Sequence, residues 1–386
     1  MSQNELLELK RTNLQKALNR EEGSFVPNVV AAGSATVAYT GKTLRDVIDD
    51  PVKYAEALTD VYKEMWIDGY FYMGAVSTFK LQEVWDTAEN FFGPDDITLE
   101  HVQLSPMNAE EYPLLIEDPD KYVAEVLLPR KYPKLFADRA YAKEALKVYA
   151  KEKFNILIAC ETAGREMMKD KYGIEGVLNL QERIEPPLDL IFDYFRGFRG
   201  TLTDLRRQNA NVRAALDKLW DVRCAPFIER PFDPAAGFAY QVPHIPAYLS
   251  PKQFEELYWP HEKKYIERVA AAGGKIEILL EGRWEHVWHH FLDLPKDCCI
   301  LHVDDDDIFK AYAELGHHQI ICGGLRAADV KLKSFDAIKD DIKRVIDTCA
   351  PGGGFLFATD KIWSSPGDMN QNLIDAMNFA HEYSSK

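Results

Sequence analysis

Three apolar runs in the second half of the chain end in residues that could do chemistry. Glu281 closes GKIEILLEG (274–282), His302 and Asp304 close CCILHVD (298–304), and Asp360 closes GFLFATD (354–360). One imidazole and two carboxylates from three separate segments make a nitrogen-and-oxygen donor set. Such a set suits Zn²⁺ with a fourth position left open for water or substrate. Glu281, His302 and Asp360 are therefore the candidate metal ligands, and Glu281 and Asp360 also the candidate catalytic groups. The competing reading is that these groups bond loop backbone or pair with Arg283, Arg326 or Lys361. Asp304 shares a strand face with His302, two residues away, and is a candidate to support it. Asp305 to Asp307 precede a helical pattern, where a helix N-terminus favours carboxylates. His244, in YQVPHIPAYLSP, ends a short apolar run ahead of a capped helix and is a candidate substrate contact.

Aromatic residues are plentiful, with 7 Trp, 18 Tyr and 20 Phe. Most belong to a core. A few facing a binding mouth would wall a flat apolar pocket, and Tyr70, Tyr72, Trp284 and Trp363 are the candidates for that role. Other chemistries lack their motifs. There is no G-x-x-x-x-G-K-[ST] phosphate loop and no G-x-S-x-G elbow, and PGGG (351–354) leads into a strand. The 6 cysteines form no C-x-x-C pair and read as buried reduced thiols. A formal charge of −16 disfavours nucleic acid, whose phosphates need a basic stripe. No apolar run reaches the ~18–20 residues of a membrane span, and the charged N-terminus has no signal-peptide core. The expectation is a cytoplasmic protein with no membrane or nucleic-acid partner.

The elements that must position these residues alternate regularly. Strands are predicted at 274–282, 298–304, 318–325 and 354–360. Helical patterns follow at 283–294, in DIFKAYAELG, and in FDAIKDDIKRVIDTC after the cap Ser334. Ser365 and Pro366 open the last helix with Asp368 in capping-box position. Near-continuous apolar strands argue for parallel strands covered on both faces. In the first half, a helix over about 3–20 precedes a strand in FVPNVVAA (25–32). Another helix starts at Asp50-Pro51, and strands are expected at 68–74 and 101–106. Helical insertions fill about 105–175. Ser250, Pro251 and Gln253 begin a long helix ending before Gly273 and Gly274. Strand–helix units along the whole length predict one (β/α)8 TIM-type barrel over 1–386, with residues 1–24 as a helical extension. The site then lies at the C-terminal ends of the strands.

The segment IICGGLRAADVKLKSFDAIKDDIKRVIDTCAPGGGFLFATDKIWSSPGDMNQNLIDAMNFAHEY resembles the end of the uroporphyrinogen decarboxylase superfamily, which includes zinc-dependent, cobalamin-linked methyltransferases. The matching features are a strand into Gly-Gly, a helix near 335–349, a Gly-rich turn, a short strand, and Asn372 in the final helical segment. The resemblance is strong over about 250–384 and looser before it, and it too implies a (β/α)8 barrel. The decarboxylase's Arg-rich N-terminal segment has no counterpart in FVPNVVAAGSATVAYTG, which contains no arginine. The thiol-methylating branch binds zinc through a His-x-Cys-Gly after the fifth strand and a Cys after the eighth. Here Leu279-Leu280-Glu281-Gly282 and Asp360 stand in those places.

Replacing thiolates with carboxylates hardens the site toward oxygen donors. The resemblance then implies zinc-assisted transfer of a methyl group from a methoxylated, aromatic donor to the Co(I) corrinoid of a partner protein, an O-demethylation. Two alternatives stay open: a metal-independent decarboxylase or lyase of the same superfamily, and a non-catalytic barrel that serves as a partner module.

Overall fold

The apolar runs become strands because helices cover one face of each and the other points into a closed ring. The structure is a computed structural model. It describes residues 1–385 except 75–76, 86–88, 177–179 and 236, and of residues 72, 73, 161 and 180–182 it describes the backbone alone. The strands are β1 (Val29–Ala32), β2 (Gly69–Met73), a two-part β3 (Glu175–Gly176 and Leu180–Glu182) and β4 (Phe238–Gln241). They continue with β5 (Ile276–Leu280), β6 (Cys299–Val303), β7 (Ile320–Leu325) and β8 (Phe355–Thr359). All pair in parallel and in chain order. The first part of β3 pairs with β2 and the second with β4. Parallel bridges from Asn28 to Phe357 and from Ala32 to Trp363 join β8 back to β1. The fold is a (β/α)8 barrel.

Period-two alternation decides what fills the ring. Val29, Ala31, Phe71, Ile300, Ile320, Cys322, Leu356 and Ala358 cluster inside it with Leu14, Ala17 and Leu18 of the helix Gln3–Leu18. That helix closes the end where the strands begin. Gly354, just before β8, donates its N–H to the Ala17 carbonyl. Arg20 donates to the carbonyls of Gly316 and Gln319, just before β7. The mouth is therefore the opposite end, where the strands finish. The intervening residues Ile276, Ile278, Leu280, Leu301, Val303, Phe355 and Phe357 face outward into the larger core beneath the helices. It follows that Glu277, Leu279 and Glu281 of the β5 segment share the inward face, as do Ile300, His302 and Asp304 of the β6 segment. Leu279 is level with His302 in the register.

Local signals place several helices as the sequence predicts. Ser250 and Gln253 form a capping box, Asp50 caps Pro51–Thr59, and Ser334 caps Phe335–Cys349. Helices also fill most of 112–172 between β2 and β3. Three expectations change. The run at 101–106 is no barrel strand: Leu99–His101 pairs antiparallel with Asn90–Phe92 in a hairpin. The pattern 283–294 is a 3₁₀ segment, Glu285–Asp293. The capping box at Ser365 serves only a short turn, Pro366–Asp368, and Asn370 caps the last helix, Gln371–Ser384.

Leu356 is fully buried inside the ring. Leu356→Ala should lower the unfolding free energy by ~2–5 kcal/mol, through lost transfer energy and a residual cavity. Urea unfolding with an unchanged m-value checks this; a loss under about 1 kcal/mol would mean the ring interior is loosely packed.

Candidate active site at the barrel mouth

After β3, Pro187 starts a helix whose first turn, Pro187–Leu190, carries Asp189. The helix continues as a π-type segment, Ile191–Arg196, which carries Asp193. Such i→i+5 segments often occur at functional sites. After β4, His244 is the N-cap residue of the single 3₁₀ turn Ile245–Tyr248. Asp189 ties the two segments together. Its Oδ1 accepts the backbone N–H of His244 at 2.9 Å and of Ile245 at 3.0 Å. Its Oδ2 accepts the Tyr258 hydroxyl at 2.9 Å. Burial pushes the Asp189 carboxyl up to about 7, with the backbone hydrogen bonds working against that rise.

This anchoring aims the His244 ring between two carboxylates. Nδ1 lies 2.9 Å from Asp193 Oδ2, and Nε2 lies 3.3 Å from Glu281 Oε2. Burial alone would lower the histidine's pKa. The hydrogen bonds and charges of Asp193 and Glu281 outweigh burial and raise it to about 11. Burial likewise works to raise Glu281, and the contact with His244 overrides it, holding the carboxyl below its ordinary range. Without a metal, His244 is an imidazolium clasped by two carboxylates.

The acidic run after β6 fixes the loop that carries Glu281. Asp304 Oδ2 accepts the Gly282 N–H at 2.8 Å, and Asp306 Oδ2 accepts the Trp284 N–H at 2.6 Å. The Asp305 N–H donates to the Gly282 carbonyl, and the Trp284 indole N–H donates to the Glu281 carbonyl at 3.1 Å. Asp307 caps the helix Ile308–Leu315. Three of the four carboxylates thus have a backbone partner of their own, and the fourth, Asp305, faces a cation. Lys361 adds a cation, with Nζ 3.1 Å from Asp304 and 3.5 Å from Asp305.

Asp360 sits at the end of β8, buried, with Oδ1 accepting the Ala327 N–H at 2.9 Å. Burial pushes its carboxyl above the ordinary range. Among the described residues, no hydrogen bond or ion pair joins Asp360 to Glu281. Asp304, Arg326 and Asp360 also border a cavity of about 400 Å³ that extends between the strand ends and the helices Ile308–Leu315 and Phe335–Cys349.

The other predicted site residues fall elsewhere. His302 lies one inward-facing layer below the mouth and is fully buried. Its Nδ1 is 3.2 Å from Glu277 and its Nε2 is 2.7 Å from the Thr359 carbonyl. With both nitrogens engaged, no lone pair reaches the mouth, so His302 is no ligand here. Trp284 and Trp363 are each 1% exposed. Their indole N–H groups bond the Glu281 carbonyl and Thr359 Oγ1, so they brace strand ends and do not line a pocket. Tyr70 faces the outer core. The Tyr72 side chain lies outside the described residues. His244 is where a substrate contact was expected, with a richer set of partners than its sequence context implied. Asp189 and Asp193 escaped the sequence reading; their only signal is the Asp-x-x-x-Asp spacing in PPLDLIFDYF, one helical turn apart.

The carboxylate and imidazole atoms of Asp189, Asp193 and His244 lie within 4.8 Å of one another and could hold a metal ion. Both Asp189 oxygens already accept hydrogen bonds, which makes it the anchor of the group. The His244–Glu281 pair is a second place where two donor atoms meet, at an ion-pair distance that an edge of a zinc tetrahedron shares. Two ligands about 2.0–2.1 Å from a tetrahedral zinc stand about 3.3 Å apart. The observed 3.3 Å between Nε2 and Oε2 fits that edge.

The family model for uroporphyrinogen decarboxylase (URO-D) matches residues 186–361, a span that includes Asp189, Asp193, His244, Glu281 and Asp360. None of the curated proteins matches the chain. Among solved structures, a methyltransferase from Methanosarcina mazei superposes with a TM-score of 0.58 at 14% identity, covering 97% of this chain and 98% of that one. At that identity the likeness speaks for the shared barrel. Among the described residues, no helix is long and apolar enough to cross a membrane.

In the metal-free protein, the raised pKa of His244 has a definite sign. Its stabilising contribution is complete below the unfolded value near ~6.5 and is lost as pH rises through about 11. The stability of the parent relative to His244→Gln should therefore decline from neutral pH toward pH 11. Ring nitrogen NMR shifts should report an imidazolium at pH 8; titration near ~6.5 would contradict the clasp.

Proposed function

We propose that the chain moves a methyl group from a methoxylated aromatic donor to the Co(I) corrinoid of a separate partner protein, with zinc held at His244 and Glu281. The observation that carries this reading is the 3.3 Å pair of His244 Nε2 and Glu281 Oε2 at the mouth. Glu281 occupies the strand-five place where related zinc methyltransferases carry ligands. The family match over 186–361 and the methyltransferase among similar barrels support it. Zinc bound there would act as a Lewis acid on the ether oxygen, which is otherwise a poor leaving group.

The protein's own groups divide the remaining work. Asp193 accepts Nδ1–H and so fixes the tautomer that leaves Nε2 free as a donor atom, the usual role of a carboxylate behind a ligating histidine. Asp189 holds the backbone of His244 and Ile245 in place. Asp304, Asp306 and Trp284 hold the Glu281 loop. Asp360, whose carboxyl burial pushes above its ordinary range, is the group at the mouth assigned to pass a proton to the departing oxygen. This revises the ligand set read from sequence: His244 takes the place of His302, and Asp360 becomes an acid instead of a ligand. The methyl group leaves without its bonding electrons, the ether oxygen keeps them, and protonation gives the free phenol.

Purified parent protein should hold one zinc per chain. Glu281→Ala and His244→Ala should lose it while keeping parent-like circular dichroism, and Asp193→Asn should weaken it ~10–100-fold. Full occupancy in Glu281→Ala and His244→Ala refutes the ligand assignment. With a reduced corrinoid protein, guaiacol-like ethers should methylate the corrinoid, followed by absorbance. Transfer from a small aliphatic donor alone would move the substrate class; no transfer and no metal would favour the lyase alternative.

A further inference from the structure

The two segments that carry Asp193 and His244 also carry an aromatic cluster to which nothing above assigns a role. Phe192 and Tyr248 lie 6.1 Å apart and 23° from parallel. Phe198 packs edge-on to both, at 5.7 Å from Phe192 and 4.9 Å from Tyr248. Phe192 is buried, whereas Phe198 is 43% exposed and Tyr248 54% exposed. Large aromatic rings left half in water beside a reactive centre offer π-faces to a ligand. Phe192 immediately precedes Asp193. Tyr248 follows His244 by four residues in one 3₁₀ turn, so their Cα atoms are about 8 Å apart at ~2 Å rise per residue. That span suits a single ring placed with its substituent at His244.

The cluster is built rigidly. Gln103 clamps both ends of the turn between the phenylalanines: its Nε2 donates to the Phe192 carbonyl at 3.0 Å, and its Oε1 accepts the Phe198 N–H at 2.6 Å. Gly197 makes the turn at φ 67°, and a Cβ there would meet Ser105 Oγ at 2.3 Å. Behind it, Arg196 and Tyr112 bond the buried Asp204. Pre-ordering of this kind lowers the entropy lost when a ligand stacks.

We propose that Phe192, Phe198 and Tyr248 form the platform that receives the ring of the aromatic methyl donor, with Gln103 as its positioning residue. This rests on the methyl-transfer reading above and replaces the rim expected of Tyr70, Trp284 and Trp363. The ring packs on the exposed faces of Phe198 and Tyr248, and its methoxy group reaches the His244–Glu281 pair.

The test uses the full chain and guaiacol as probe, with equilibrium dialysis for binding and corrinoid methylation for turnover. Tyr248→Ala and Phe198→Ala should each weaken guaiacol binding and raise KM about tenfold. Tyr248→Phe, which keeps the ring, should stay near the parent, and Gln103→Ala should fall between. Tyr383→Ala, on the remote last helix, serves as a control for loss of an exposed tyrosine. Parent-like binding in both Tyr248→Ala and Phe198→Ala overturns the platform. So does a change confined to oligomeric state, which would make the patch a contact between copies. If the parent methylates no corrinoid from any donor, the methyl-transfer reading fails; the dialysis arm still decides the platform, because it needs no turnover.

Discussion

Everything at the mouth depends on one imidazole held between two carboxylates from different strand ends. His244 touches Asp193 from the segment after β3 and Glu281 from the loop after β5. Two anions so close would repel without a cation between them. Among the described residues the ring is the cation that lies between them, and the charge of Lys361 adds to it at Glu281. In the metal-free protein a proton on the ring completes the clasp, and under the proposed reading a zinc ion would replace that proton between Nε2 and Oε2.

The rest of the barrel serves to keep that ring where it is. A clasp of this kind loses its geometry if either wall moves by an ångström, and each wall has its own restraint. On one side, the buried Asp189 grips the His244 backbone and is itself held by Tyr258. On the other, the aspartates after β6 grip the backbone on either side of Glu281, at Gly282 and Trp284. Deeper in, the Glu277–His302 pair fills the ring below the mouth with a bonded acid–base couple. Polar groups in such a core are tolerable only when bonded, and His302 uses both ring nitrogens. The price is a histidine removed from the reactive surface.

The barrel was legible because its strands are short apolar runs of fixed period followed by helical patterns, and both signals are local. Glu281 and Asp360 were legible as strand-end residues for the same reason. His302 misled because period two identifies the face of a strand and not the layer; one layer down, an inward histidine belongs to the core. Trp284 and Trp363 misled because composition reports aromatic rings without saying where their N–H groups bond. Asp193 was invisible because its partner His244 is 51 positions away. Only the packing of the post-β3 helix against the post-β4 turn brings the two together. Likewise, Gln103 has no motif of its own, and its meaning lies in the turn around Gly197.

The central claim is that zinc is bound by one imidazole and one carboxylate, those of His244 and Glu281. X-ray absorption at the zinc edge of the loaded protein addresses it directly. The account predicts a first shell of nitrogen and oxygen at about 2.0–2.1 Å with one imidazole pattern, and a His244→Gln variant that either loses the zinc or shows no imidazole pattern. All six cysteines are buried, so none should contribute. Sulfur scattering near about 2.3 Å, or an imidazole pattern unchanged in His244→Gln, would contradict it.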